Sequence, residues 1–435
     1  MLSRSARRIS LLWGWMLARP GPVLAVLVLV GFALRVGWLV ASGGLFAPPQ
    51  EDELDYNDLA KSLLSGQGYS LDGEPQVNRS PGYPVFLFLV YTAFGVQPAI
   101  ARLVQAALLV AVVPLLYYVG RRGWSPSVGM LSALVFAVHP FSIFWSRYMA
   151  TENLLVFVYA ALAAVLVCPG RTGVGRVFAG GVVLGVALLT RPTAILVAAG
   201  LALWLLLVSR GRSRLVRPAL LLAGALVALS PWVARNFAEY GQFIPLTSGY
   251  GSSAGGYVFW ISNNEYTARP GERWGRYVPA EMLPDYAEYI SYGDNPGLLD
   301  RKGYEYGLRY LTSHPQDVPM LLLGKFLRFW NVFPGTTLVT RAAGATVLVL
   351  LPFFLVGLWA CWRNRQNGGM VLVFIVGTML IGLIFWADTR IRAPAEPFIV
   401  LAAAIGAVWW RERRADQSRK VAKPLPAALE PDRAS

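Results

Sequence analysis

The chain alternates long apolar runs with short polar connections. A helix that crosses a membrane needs about 20 mostly apolar residues. Ten segments read as such spans: 21–42, 99–120, 126–145, 151–168, 176–190, 193–209, 217–235, 343–362, 370–386 and 394–410. The connections between them sort by charge. Residues 121–125, 169–175, 210–216 and 363–369 all carry arginine, and so does RERRADQSRK after the last span. Lys and Arg gather at cytoplasmic ends, so both termini are expected inside, with 43–98 and 236–341 outside. The first run is followed by no small-residue cleavage site and reads as a retained signal anchor.

Two apolar segments do not fit as spans. PGYPVFLFLVYTAFG (81–95) is short, and counting it would invert the charge bias of every later loop. It is expected at the outer face, dipping in and returning. DVPMLLLGKFLRFWNVF (317–333) sets Lys325 and Arg328 at helical spacing with aromatics opposite, the pattern of a helix lying in the interface. The expected fold class is therefore an all-α polytopic membrane protein of about ten transmembrane helices. Its expected parts are a cytoplasmic N-terminus (1–20), a transmembrane catalytic module (21–235), an outer, periplasmic loop region (236–341), C-terminal transmembrane helices (342–410) and a disordered cytoplasmic tail (411–435).

Composition agrees. The chain is 55% hydrophobic and 14% charged, against about 25% charged in soluble domains. The net charge of +15 does not imply nucleic acid, because the basic residues form short clusters between apolar runs rather than one stripe. The sequence holds two cysteines, Cys168 and Cys361, each beside a basic cluster. On that cytoplasmic side no structural disulfide is expected, and no metal-type Cys/His cluster is present.

The candidate chemistry lies in the outer connections. In EDELDYNDLAKSLLSG (51–66), Leu54, Leu59, Leu63 and Leu64 share one helical face, with the acids mostly on others. Prolines 48 and 49 precede it and Gly66 closes it, which predicts a short juxtamembrane helix. Acids at a helix N-terminus suit the dipole, which accounts for Asp55 and Asp58 as solvated helix acids. Asp52, immediately after the prolines, is expected to be chemical. Arginines oppose the positive-inside trend at the same face: Arg79 in NRSPGYP, Arg147 beside Glu152 in SRYMATENLL, Arg191 in LLTRPTAIL, Arg235 in SPWVARNFAEYG, and Arg390 with Arg392 in ADTRIRAPAEPF. Such a cluster implies an anionic partner, and the planar guanidinium suits phosphate. A lipid-linked phosphate fits.

In order, DELDYNDLAKSLLSGQGY, RSPGYP, Glu152, PWVARN and RIRAPAEP resemble the polyprenyl-phosphate-sugar-dependent glycosyltransferases of the GT-C superfamily. The similarity is to the branch containing bacterial aminoarabinose transferase and the protein O-mannosyltransferases, over roughly residues 20–410. The resemblance implies a GT-C-type helical module with juxtamembrane helices in the first outer loop. It places the first-loop acid at Asp52, followed by Glu53 and Tyr56, the second-loop acid at Glu152, a basic residue at Arg79 and the late arginines at Arg390 and Arg392. Some members hold a divalent cation with paired acids in the second loop. Here ATENLL supplies one acid, which leaves a cation shared by Asp52 and Glu152 as an option only.

The implied reaction moves a sugar from a polyprenyl phosphate to a lipid, glycan or protein acceptor at the outer face of the cell membrane, with inversion. Attack by an acceptor hydroxyl needs a base, assigned to Asp52. Glu152 would orient the acceptor or share the metal. The departing phosphate needs fixed cations, assigned to Arg79, Arg191, Arg235, Arg390 and Arg392, with Glu53 and Tyr56 also contacting substrate. The alternative is a transporter or flippase of a lipid-linked anion, which predicts symmetric halves and mid-bilayer charges. A non-catalytic scaffold leaves the paired outer charges without a purpose.

Overall fold

The computed structural model describes residues 4–168, 173–248, 255–293, 295–332 and 337–421. All ten expected spans are helical. They are α2 (Pro20–Ala41), α5 (Pro98–Gly123), α6 (Pro126–Ala137) with α7 (Pro140–Trp145), α8 (Thr151–Leu166), α9 (Val174–Thr190), α10 (Ile195–Val208), α11 (Ser213–Tyr240), α17 (Leu338–Arg363), α18 (Gly368–Ile384) and α20 (Glu396–Val421). An N-terminal helix, α1 (Arg4–Ala18), precedes them. By length and composition, five helices of the described residues are long and apolar enough to cross a membrane, within 20–41, 98–123, 213–240, 340–363 and 389–414. The last of these is the most enclosed and forms the middle of the bundle. It continues as helix to Val421, where the sequence pattern predicts a disordered tail from 411; residues 422–435 lie outside the described residues.

The third expected span is broken between α6 and α7, where Pro140 has no N–H to donate and His139 caps the second piece. The carbonyl of Ala137 is instead met by the buried Arg35 of α2, whose Nη1 donates to it at 3.2 Å while Nη2 donates to Ser142 Oγ at 2.9 Å.

The 43–98 connection contains α3 (Asp52–Leu64), the hairpin β1 (Ser70–Leu71) and β2 (Glu74–Pro75), and α4 (Gly82–Phe94). Asp72 and Gly73 have φ of 52° and 82°, the double positive φ of a two-residue hairpin turn that Asp-Gly favours. Arg235 fastens this hairpin to α11, donating to Gln76 O at 2.7 Å and Tyr69 O at 2.9 Å. Helix α4, the short apolar segment, seats its first residue on the end of α9. A Cβ at Gly82 would stand 2.8 Å from the Thr190 backbone, so only glycine permits this approach.

The 236–341 region holds α12 (Gly255–Ser262), α13 (Glu265–Ala268), α14 (Tyr286–Ser291), α15 (Pro296–Ser313) and α16 (Val318–Phe329). Residues 249–254 of its glycine-rich stretch lie outside the described residues. Tyr257, Trp260, Tyr289 and Tyr306 build a small core there, apart from that of the bundle. In α16 the apolar Met320, Leu322, Leu323 and Phe326 are exposed. Its basic residues turn inward: Lys325 Nζ donates to Asn263 Oδ1 at 2.8 Å, and Arg328 to the carbonyls of Trp274 and Glu272. Burial pushes the Lys325 amine down to about 7. The exposed side chains of this helix are thus apolar, and its basic ones bind the protein.

Candidate active site

Helix α3 starts at Asp52 because Glu51, with φ of 49°, turns the chain after the two prolines. The turn aims Asp52 at the bundle. There Asp52 Oδ1 lies 3.0 Å from Arg79 Nη1, and Oδ2 lies 2.9 Å from Nη2 of Arg390 in α19 (Thr389–Arg392). Arg390 Nε also bonds Glu152, at the start of α8, and Arg191 bonds the same Glu152 oxygen. At the other end Arg79 grips Asp55, with Nη2 at 2.5 Å. The result is one chain of alternating charge: Asp55, Arg79, Asp52, Arg390, Glu152, Arg191. Five separate stretches of sequence meet in it.

Burial alone would push the Asp52 carboxyl up, but Arg390 and Arg79 outweigh it and hold the group below its ordinary value. Tyr56, whose ring faces Arg79 at 5.7 Å, is pushed up to about 12, chiefly by burial and then by Asp52. Beside this chain opens a cavity of about 530 Å³, and Asp52, Tyr56, Arg191 and Arg390 are on its wall. The rest of the wall belongs to the 236–341 region, with Tyr257, Tyr277, Asp300 and Tyr304, and to Trp386 after α18. Such a space, polar on one side and aromatic on the other, suits a sugar attached to an anion.

The sequence-predicted residues divide into two groups. Asp52, Tyr56, Arg191 and Arg390 line the cavity, with Arg79 and Glu152 directly behind them. Glu152 is fully buried, and Thr151 Oγ1 donates to its second oxygen at 3.1 Å. Its position suits holding two arginines in place rather than touching an acceptor. Three others are occupied elsewhere. Glu53 turns away to pair with the buried Arg102 at 3.0 Å and to accept from Met149 N at 3.1 Å. Arg235 serves the hairpin. Arg392 is buried, donating to Glu396 at 2.7 Å and Phe329 O at 2.9 Å. Asp55, expected to be solvated, is instead paired with Arg79, because α3 brings it one helical turn from Asp52. Asp58 meets that expectation: it is half exposed, beside Lys61 and Asn57.

A divalent cation does not fit this arrangement. The Arg390 guanidinium occupies the space between Asp52 and Glu152, and among the described residues no group of three acidic, His or Cys side chains could hold a metal ion. The sequence pattern missed Tyr257, Tyr277, Asp300 and Tyr304. Their only signal is the density of Tyr and Gly in the 236–341 region.

A family model described as dolichyl-phosphate-mannose-protein mannosyltransferase matches residues 78–234. No curated protein sequence matches the chain. Among solved structures, the archaeal oligosaccharyltransferase AglB from Archaeoglobus fulgidus, in complex with an inhibitory peptide and a dolichol-phosphate, superposes with a TM-score of 0.54 at 13% identity, covering 94% of this chain and 52% of that one. The apo form of the Archaeoglobus fulgidus oligosaccharyltransferase gives 0.54 at 12% identity, covering 93% and 52%. The chain has a GT-C-type fold. It spans about half the length of these archaeal proteins. ArnT from Cupriavidus metallidurans, bound to undecaprenyl phosphate, gives a TM-score of 0.45 at 16% identity, covering 93% and 81%. Within this GT-C-type fold, the charge chain is built from the 43–98 connection, the start of α8, the turn between α9 and α10, and the segment before α20.

Proposed function

We propose that this protein is an integral membrane glycosyltransferase that moves a sugar from a polyprenyl-phosphate donor to a lipid, glycan or protein acceptor. The observation that carries this reading is the meeting of Asp52 and Arg390 on the wall of one cavity, at 2.9 Å. A carboxylate and a guanidinium side by side supply the two things the reaction needs. An acceptor hydroxyl attacks the anomeric carbon and its proton passes to Asp52. The bond from that carbon to the lipid phosphate oxygen breaks, and the phosphate leaves as a monoester whose charge Arg390 and Arg191 receive. Attack opposite the leaving group inverts the sugar.

The pairing also constrains the order of events. Between two guanidinium groups Asp52 is a weak base, since its carboxyl sits below the ordinary range. A donor phosphate that recruits Arg390 removes one of those partners and makes Asp52 more basic when a sugar is present to be attacked. Glu152 acts as a positioning residue for Arg390 and Arg191. Tyr56 stands on the cavity wall beside Asp52, and Arg79 behind it.

The charge alternation of the connections supports an active site on the outer, periplasmic face of the cell membrane, with 21–235 as the catalytic module and 236–341 as the region that receives the acceptor. Purified full-length protein in liposomes, supplied with polyprenyl-phosphate sugars, tests the reading. Release of polyprenyl phosphate coupled to acceptor glycosylation is expected. Failure of the protein to bind any polyprenyl phosphate refutes it.

A further inference from the structure

A second cavity, of about 570 Å³, lies at the other end of the bundle, where α17 and α20 finish beside the turn between α5 and α6. It is built from a repeated unit. Trp359 and Arg363 are four residues apart on α17, and Trp409 and Arg413 are four apart on α20, so each pair shares one helix face. The Arg363 guanidinium stands 5.1 Å from the Trp359 ring and that of Arg413 stands 4.8 Å from the Trp409 ring. The two indoles meet edge to face with centroids 5.0 Å apart. Two arginines are thereby held over a joined pair of aromatic plates, at the rim of a concave space that Trp124 closes from the α5–α6 turn.

We infer that this clamp binds the headgroup of an anionic phospholipid. Tryptophan and arginine are common at membrane interfaces singly, but here they form a walled site in which both guanidinium groups stand over indole rings before any ligand arrives. Stacking on an indole leaves a guanidinium's edge donors for phosphate. Glu412 is the one acid on the wall among the described residues, so the lining is net positive. The deeper wall is apolar, with Val128, Ile405 and Val408, which offers acyl chains a surface that a free phosphate would not use. Basic pockets between helix ends recognise anionic headgroups in this way. Nothing in the sugar-transfer reading requires this site, since it lies beyond the far end of α20 from Arg390.

The test is native mass spectrometry of the full-length protein in a neutral detergent, titrated with phosphatidylglycerol, phosphatidylcholine or inorganic phosphate. Phosphatidylglycerol should be retained in preference to phosphatidylcholine, and millimolar phosphate should not displace it. The double variant Arg363→Gln/Arg413→Gln should lose roughly ten-fold in phosphatidylglycerol affinity, whereas Arg365→Gln, outside the cavity wall, should lose little. Equal retention of both lipids, displacement by phosphate, or parent-like affinity in a folded double variant overturns the inference. Should the glutamine pair not fold, Arg363→Lys/Arg413→Lys keeps the charge but loses the stacked plane. It should bind less tightly than the parent, and parent-like affinity there equally overturns the site.

Discussion

Asp52 and Arg390 are 338 residues apart in sequence and 2.9 Å apart in space. Their pair closes the contact between the 43–98 connection and the segment before the last helix. The base and the cation of the proposed reaction are therefore direct partners, and the first two experiments alter each in turn.

Asp52→Asn keeps size and polarity but removes the base. Turnover should fall by roughly two to four orders of magnitude, with polyprenyl-phosphate binding retained through the arginines. Asp58→Asn, at a solvated position, should cost little in either measurement. A stable Asp52→Asn protein that binds donor and turns over at the parent rate removes Asp52 from the chemistry.

Arg390→Lys and Arg392→Lys should separate. Arg390 serves two acids at once through Nε and Nη2 of one plane, which an ammonium cannot reproduce, so donor affinity should drop while the fold survives. Arg392 faces the buried Glu396 and the Phe329 carbonyl, so its replacement should lower the unfolding temperature before it changes donor affinity. Equal donor affinity in Arg390→Lys and parent would reduce Arg390 to an anchor.

The pH dependence has a fixed sign. The folded Asp52 carboxyl lies below its ordinary value because Arg390 and Arg79 outweigh burial. Its contribution to stability is present above the unfolded value, near 3.9, and is lost as pH falls through the folded one. Arg79→Gln removes one guanidinium, so the carboxyl rises and the acid limb of kcat/KM should move to higher pH. An acid limb that stays in place would show that a different group governs it.

Glu53→Gln should act on stability rather than on chemistry. It leaves Arg102 buried without its carboxylate, and breaking a buried pair costs about 3–5 kcal/mol. Carbonyl contacts from Arg102 to Ala47 and Arg147 soften this, so about 2–3 kcal/mol is expected by denaturant titration, with little change in KM. An unfolding free energy equal to the parent's would mean that the pair is not structural.

Membrane orientation is open to impermeant thiol labelling in a background lacking Cys168. Ser291→Cys, in the 236–341 region, should label in intact cells, and Gln366→Cys, beside a basic connection, should not. The reverse pattern would invert the topology.

The spans were legible because lipid demands long apolar runs and leaves few other ways to arrange them. The helix of Asp52 was legible from its prolines and from Gly66, but its leucines do not share one face as expected: Leu59 is buried while Leu54 and Leu64 are exposed. The arginines were harder, since a guanidinium that faces a cavity and one that braces a loop look alike in sequence. Part of that distinction was available: Arg390 and Arg392 are two residues apart on a helical turn, about 200° around the axis, and could not both face one ligand. The Asp72–Gly73 turn was a local signal as well, and it marks the hairpin that claims Arg235. Asp55 was misread because its partner lies 24 residues away, beyond anything the helix itself reveals.

The aromatic core of Tyr257, Trp260, Tyr289 and Tyr306 is separate from the core of the bundle. Mutational drift in the outer wall of the cavity can therefore accumulate without passing through the ion chain. Under the proposed function, selection can change which acceptor is admitted while the transfer step stays the same, and descendants of one ancestral chain can decorate different molecules with a single shared chemistry.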